Sequence, residues 1–214
     1  MKMLPYLLVA LAGYLCGAMP FAYILARLKG VDIRKVGSGN VGATNVFRSV
    51  SKGLGILTFV ADALKGFLPA WLLPLCAVRW LDVPAGPGLG LLGGCAAVAG
   101  HTWPVFLKFK GGKGVATSAG MLLGVAPAAM GIGLAAWILL FAATRYVSVA
   151  SMAAAAATPG AAWWLYGASD RLRPAVLTVL GLIIVLRHRA NIGRLLKGTE
   201  LRMGSKSRAA SGAE

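Results

Sequence analysis

Apolar runs of nearly membrane-spanning length follow one another through almost the whole of this 214-residue chain. A bilayer core about 30 Å thick takes roughly 20 apolar residues per crossing helix. The length therefore allows about seven crossings and leaves little for a soluble domain. Composition agrees: 58% of residues are hydrophobic and 13% charged, with a mean hydropathy of +0.75. Soluble domains run at about 45–50% apolar and about 25% charged. The expected fold class is all-α, a polytopic membrane helix bundle. It is read as one domain over residues 1–208, with residues 209–214 a disordered tail.

The runs are Leu4–Leu28, Leu54–Ala77, Leu89–Leu107, Val115–Ala143, Val147–Tyr166 and Pro174–Leu186. The first has no small-x-small cleavage site near its end and too long an apolar core for a signal peptide, so it reads as a retained span. Val115–Ala143 contains Val125-Ala126-Pro127, where proline removes a backbone hydrogen bond and favours a break.

Charge decides how that break is read. Sixteen of the 22 Lys and Arg residues lie in three short segments: Arg27 to Lys52, Lys108 to Lys113, and Arg187 to Arg208. A net charge of +16 against only 6 acids would suit nucleic acid, but no soluble basic domain exists to carry it. Part of the pattern is positive-inside bias. If the three segments share one compartment, an even number of crossings must separate Lys113 from Arg187. Splitting the fourth run at Pro127 satisfies this and puts Arg145 on the same side. The result is seven transmembrane helices, some short, with the N-terminus outside and the C-terminus cytoplasmic. A five-span arrangement keeps the same orientation.

The three basic segments carry polar motifs as well as charge. The first is Gly37-Ser38-Gly39-Asn40-Val41-Gly42-Ala43-Thr44-Asn45-Val46-Phe47-Arg48. Glycines let backbone amides approach an anion, Ser38, Asn40, Thr44 and Asn45 add neutral donors, and Arg48 offers a planar fork matched to phosphate. The second is Lys108-Phe109-Lys110-Gly111-Gly112-Lys113-Gly114-Val115-Ala116-Thr117, a glycine-flanked lysine leading into a helix N-terminus. Its spacing departs from the Walker A pattern, and Gly114 stands where Ser or Thr is required, so ATP or GTP is not expected. The third is the His188-Arg189-x-Asn191 tail, continuing through Arg194 to Gly198-Thr199-Glu200; His188 and Asn191 share a helix face.

Asp62 and Lys65 stand three apart inside the second apolar run, where ionisable groups are expensive. They read as a structural pair facing the bundle, with access to the site as the sharper alternative. His101 is open between packing and function. Cys16, Cys76 and Cys95 read as free thiols packed in helices. No metal-ligand spacing and no cofactor motif is present.

In this order, between these apolar runs, the three motifs resemble those of the bacterial acyl-phosphate:glycerol-3-phosphate acyltransferases, over nearly the whole chain. The resemblance implies transfer of a fatty acyl group from acyl phosphate to the 1-hydroxyl of glycerol 3-phosphate. The products are lysophosphatidic acid and phosphate, the first step of bacterial phospholipid synthesis. It implies a multi-pass protein of the bacterial inner membrane with its site facing the cytoplasm. Membrane lipid would surround it, and a soluble acyl-phosphate-making enzyme would be the delivery partner. His188, Lys113 and Arg48 are expected to be catalytic. Ser38, Asn40, Asn45, Gly111, Gly112, Gly114, Thr117, Asn191 and Glu200 are expected to bind substrate, with backbone donors from Gly111 to Gly114. The His-x-x-x-x-Asp pair of thioester-using acyltransferases is absent: Phe106 follows His101 by five, and Gly193 follows His188 by five. The base stays open between His188 and a substrate phosphate. A transporter for a phosphorylated metabolite is the competing class, although no inverted repeat is visible.

Overall fold

The computed structural model describes residues 3–84 and 86–204, so the expected tail at 209–214 lies outside the described residues. All regular structure among them is helical. The helices are α1 (Leu4–Ala18), α2 (Phe21–Arg27), α3 (Ala43–Ser49), α4 (Lys52–Trp80), α5 (Pro87–Thr102), α6 (Val115–Val125), α7 (Pro127–Thr144), α8 (Val147–Tyr166), α9 (Leu172–Arg187) and α10 (Arg189–Leu196).

The molecule is inverted relative to a soluble protein. Leu4, Leu7, Leu11, Trp71, Leu139 and Trp164 are exposed, while Asn45, Asp62, Lys65, His101, His188 and Asn191 are buried. Lipid would solvate the first set, and the second must find partners inside the bundle. Four helical stretches among the described residues are long and apolar enough to cross a bilayer, five if the bent pair α9 and α10 counts as one. The expected spans all appear as helices, yet α6 has 11 residues and is about 16 Å long, roughly half a bilayer core.

Close packing of α1 on α5, and of α4 on α6, depends on small residues, since apolar side chains gain nothing by leaving lipid for each other. A Cβ on Gly17 would lie 2.0 Å from the Ala97 carbonyl oxygen, and one on Gly120 would lie 1.8 Å from that of Ala63.

Two breaks shape the site. The first was not anticipated: the run Leu4–Leu28 divides at Met19-Pro20 into α1 and α2. The Met19 carbonyl accepts hydrogen bonds from the Phe21 amide at 3.1 Å and from Lys65 Nζ at 2.8 Å. The second is at Ala126, which has φ −153° and ψ 58° and caps both α6 and α7. Here the chain turns back. Val115 and Trp137 line the same cavity, whereas a merely kinked helix would hold them about 33 Å apart. The reversal returns the C-terminus of α7 to the end where α6 begins. The segments 27–52, 101–115, 144–148 and 187–203 thus gather at one end of the bundle.

Candidate functional site

The first glycine-rich loop is built around Asn45. Its amide nitrogen donates to the carbonyls of Ile33, Val36 and Asn40 at 3.0–3.1 Å, and its oxygen accepts from the Ser38 amide at 3.0 Å and from Ser49 Oγ at 3.3 Å. Gly37 and Gly39 adopt φ +58° and +68°, the left-handed region that favours glycine. The folded loop presents Ser38, Asn40, Thr44 and Arg48 to a cavity of about 170 Å³.

The second loop meets this cavity through Lys113 and Gly114, with Val115 and Ala116 of α6 behind them. Gly114 caps α6 with φ +85°. By helix geometry the first amides of α6 have no intrahelical acceptor. Gly111 and Gly112 stand one step back from the wall. The Gly112 amide donates to the His101 carbonyl at 3.1 Å, and both glycine carbonyls accept from Arg187 Nη2, at 3.2 and 3.0 Å.

The third segment enters where α10 bends 51° away from α9. His188, at the bend, is buried, and its Nδ1 lies 2.8 Å from the Ile184 carbonyl. A carbonyl can only accept, so the proton is on Nδ1 and Nε2 is the free acceptor. Burial, then the charge of Lys113, pushes the His188 pKa down to about 4, so the ring is neutral at physiological pH. Lys113 Nζ donates to Asn191 Oδ1. Asn191 Nδ2 donates to Glu200 Oε1 at 2.6 Å, Ser148 Oγ donates to the same oxygen at 2.7 Å, and Arg194 Nε donates to Oε2 at 2.7 Å. Burial opposes the ionised form of Glu200, but these bonds outweigh it and hold its pKa below the usual carboxylate value.

Arg48 Nη2 donates to the Leu201 carbonyl at 3.0 Å, while Arg48 Nε is buried without a partner. Lys113 is pushed down to about 8, chiefly by burial and against the pull of Glu200, with Arg194, Arg48 and Arg187 adding to the fall. The cavity therefore carries three cations, Arg48, Lys113 and Arg194, against the carboxylates Glu200 and Asp62. Asp62 is already paired with Lys65 at 2.8 Å. The cation excess, the unpartnered Arg48 Nε and the neutral donors fit phosphate oxygens.

Beside the polar cavity lies an apolar one of about 210 Å³ between α6, α7, α8 and α9. Phe59, Val115, Trp137 and Ser151 line both. A ligand with a charged head and a hydrocarbon tail fits this pair of spaces.

Ser38, Asn40, Arg48, Lys113, Gly114, His188 and Asn191 thus all line one cavity. The other expected binding residues are placed differently. Asn45 also borders the cavity, but its amide is committed to the loop backbone. Glu200 borders it too, with both oxygens taken by protein donors. Gly111 and Gly112 lie behind the wall, so the Gly112 amide is not a free donor to substrate. Thr117 is fully buried, and its carbonyl packs where a Cβ on Gly66 of α4 would stand. Arg194 stood in the third motif, whereas Arg187, Ser148, Ser151, Trp137 and Phe59 were not singled out by the sequence. A basic residue beside His188 hinted at Arg187, but nothing local connects Ser148 to Glu200, 52 residues on. No group of three or more potential metal ligands occurs among the described residues.

A family model for glycerol-3-phosphate acyltransferase matches residues 7–198. A glycerol-3-phosphate acyltransferase of Erythrobacter litoralis is 46% identical over 203 residues, covering 93% of this chain and 95% of its own. One from Methylobacillus flagellatus is 44% identical, covering 92% and 96%. Crystal structures of PlsY (YgiH), an integral membrane glycerol 3-phosphate acyltransferase, are also similar. Its glycerol 3-phosphate form superposes with a TM-score of 0.81 at 41% identity, covering 93% of this chain and 96% of that one. Its lysophosphatidic acid form gives 0.78 at 40% identity, covering 93% and 95%.

Proposed function

The chain belongs to the glycerol-3-phosphate acyltransferase family, and from that premise we propose that it transfers a fatty acyl group from acyl phosphate to the 1-hydroxyl of glycerol 3-phosphate. The products are 1-acyl-glycerol 3-phosphate and inorganic phosphate, the first step of phospholipid synthesis. The observation that carries this reading is the joining of a cation-lined cavity to an apolar one at Phe59, Val115, Trp137 and Ser151. Phosphates sit in the first, and the acyl chain lies in the second.

Arg48, Lys113 and Ser38 hold the phosphates, with Asn40, Gly114 and Asn191 as further donors. Asn45 and Glu200 act one step back, shaping the first loop and fixing Asn191. The acceptor hydroxyl attacks the acyl carbon directly, the bond from that carbon to the phosphate oxygen breaks, and phosphate leaves. Arg48 and Lys113 stabilise the charge on the departing group. His188 Nε2 accepts a hydrogen bond from the acceptor hydroxyl and orients it. A group with a pKa of about 4 is a weak base at neutral pH, so the hydroxyl proton goes to a phosphate oxygen, whose second ionisation lies at about 6. The acidic limb of the rate–pH profile then belongs to the substrate and persists in His188→Gln at reduced turnover. Disappearance of that limb in a folded variant would make the histidine the base.

The basic end faces the cytoplasm of a bacterial inner membrane, with the N-terminus outside and seven crossings that include the short α6. A soluble enzyme delivers acyl phosphate to this face. The deciding experiment compares acyl phosphate, acyl-CoA and acyl carrier protein as donors to the purified protein. Acyl phosphate is expected to serve alone, and activity with only a thioester would overturn the donor assignment.

A further inference from the structure

Two buried ionisable groups on the cavity wall have no part in the transfer just described. His101, in the last turn of α5, is 7% exposed, and Asp62 of α4 is 2% exposed. Both line the polar cavity, and both also line a small cavity behind the second glycine loop, together with Lys65, Gly111 and Gly112.

We propose that His101, oriented by Asp62, is a positioning residue that sets the conformation of the Gly111–Gly114 loop and through it the place of the Lys113 ammonium. The proposal rests on the reading of Lys113 as a phosphate-binding residue.

The contact between His101 and the loop is intimate. The His101 carbonyl accepts the Gly112 amide at 3.1 Å. A Cβ on Gly112 would lie 2.1 Å from His101 Nε2, and a Cβ on Gly111 would lie 2.1 Å from the His101 carbonyl oxygen. Neither glycine has a positive φ. Residues 111 and 112 are glycine because the loop lies flat against His101, not because a turn demands it.

The other side of the ring faces charge. Asp62 Oδ1 is 3.6 Å from His101 Nδ1 and 2.8 Å from Lys65 Nζ. The first distance is too long for a good hydrogen bond, so Asp62 acts on the ring through the field of its carboxylate. Lys65 is anchored in turn on the Met19 carbonyl, freed at the Pro20 break. The ring is therefore held between a fixed carboxylate and the loop, while Arg187 grips both glycine carbonyls. Lys113 is the next residue along. A displacement of about 1 Å in such a group can cost on the order of a hundredfold in rate.

The test is a double-mutant cycle on the full-length protein in detergent, combining His101→Gln with Lys113→Arg. His101→Gln is expected to lower turnover about tenfold or more and to weaken glycerol 3-phosphate binding, with the unfolding midpoint of the free protein little changed. In the double variant the two losses are expected not to multiply, because both act on the position of one cation. Multiplying losses, or wild-type kinetics in folded His101→Gln, would overturn the proposal. If His101→Gln does not fold, the same cycle is run with the paired replacement Asp62→Asn and Lys65→Met, under the same criteria. Thermal stabilisation by glycerol 3-phosphate reads the cycle without turnover. A wild-type protein that is stabilised but transfers no acyl group would therefore sink the acyl-transfer reading and leave this one still decidable.

Discussion

Two carboxylates organise the charged interior, and they do opposite things. Asp62 is enclosed: Lys65 at 4% exposure meets it directly and cancels its charge, and His101 stands beside it. Glu200 is surrounded by Asn191, Ser148 and Arg194, but Arg48 and Lys113 remain turned towards the same open cavity. The first cluster has spent its charge on itself. The second keeps a positive excess where an anion can enter. Comparable residue types therefore give a self-paired knot in one place and a cation-rich cavity able to take an anion in the other, according to whether cations outnumber their internal partners.

The difference can be broken most severely at Asp62. Removing one member of a buried pair strands the other, so Asp62→Leu alone is expected to destabilise the protein by roughly 3–5 kcal/mol. The double change Asp62→Leu and Lys65→Met is expected to recover most of that. Thermal unfolding in detergent measures both, and a single variant as stable as wild type would show the knot to be slack.

Next in size are Arg48→Ala and Lys113→Ala. Each is expected to lower turnover well over tenfold, that is by more than about 1.4 kcal/mol, while the unfolding midpoint stays nearly fixed. A comparable drop in stability would place these residues in the same class as Asp62.

The smallest effect is in pH. In the proposed site Lys113 binds phosphate as its ammonium, and its pKa is lowered to about 8, so activity is expected to fall as pH rises through that value. Lys113→Arg carries a guanidinium that stays charged throughout. It should lose activity overall yet keep a flat profile above pH 8. A basic limb surviving in that variant would assign the titration to another group.

Much of this protein is legible without coordinates. Apolar runs and clustered cations fix an integral membrane helix bundle, because a bilayer leaves few other ways to satisfy a backbone. Motif chemistry selected Ser38, Asn40, Arg48, Lys113, His188 and Asn191, since glycines, neutral donors and fixed cations are what a phosphate requires. What the sequence left undecided were choices between partners. Asn45 was expected to face substrate, and only packing shows that its amide instead meets the carbonyls of Ile33, Val36 and Asn40. Pro127 by itself could kink a helix or reverse it, since proline removes the same hydrogen bond in either case, and the even count of crossings between the basic segments selected reversal. In the structure Val115 and Trp137 face one cavity, so the chain does turn back there. Lys113 reaches Asn191 across 78 residues and Ser148 reaches Glu200 across 52. Such pairs leave no local periodicity, because helix packing rather than sequence spacing brings them within hydrogen-bonding distance.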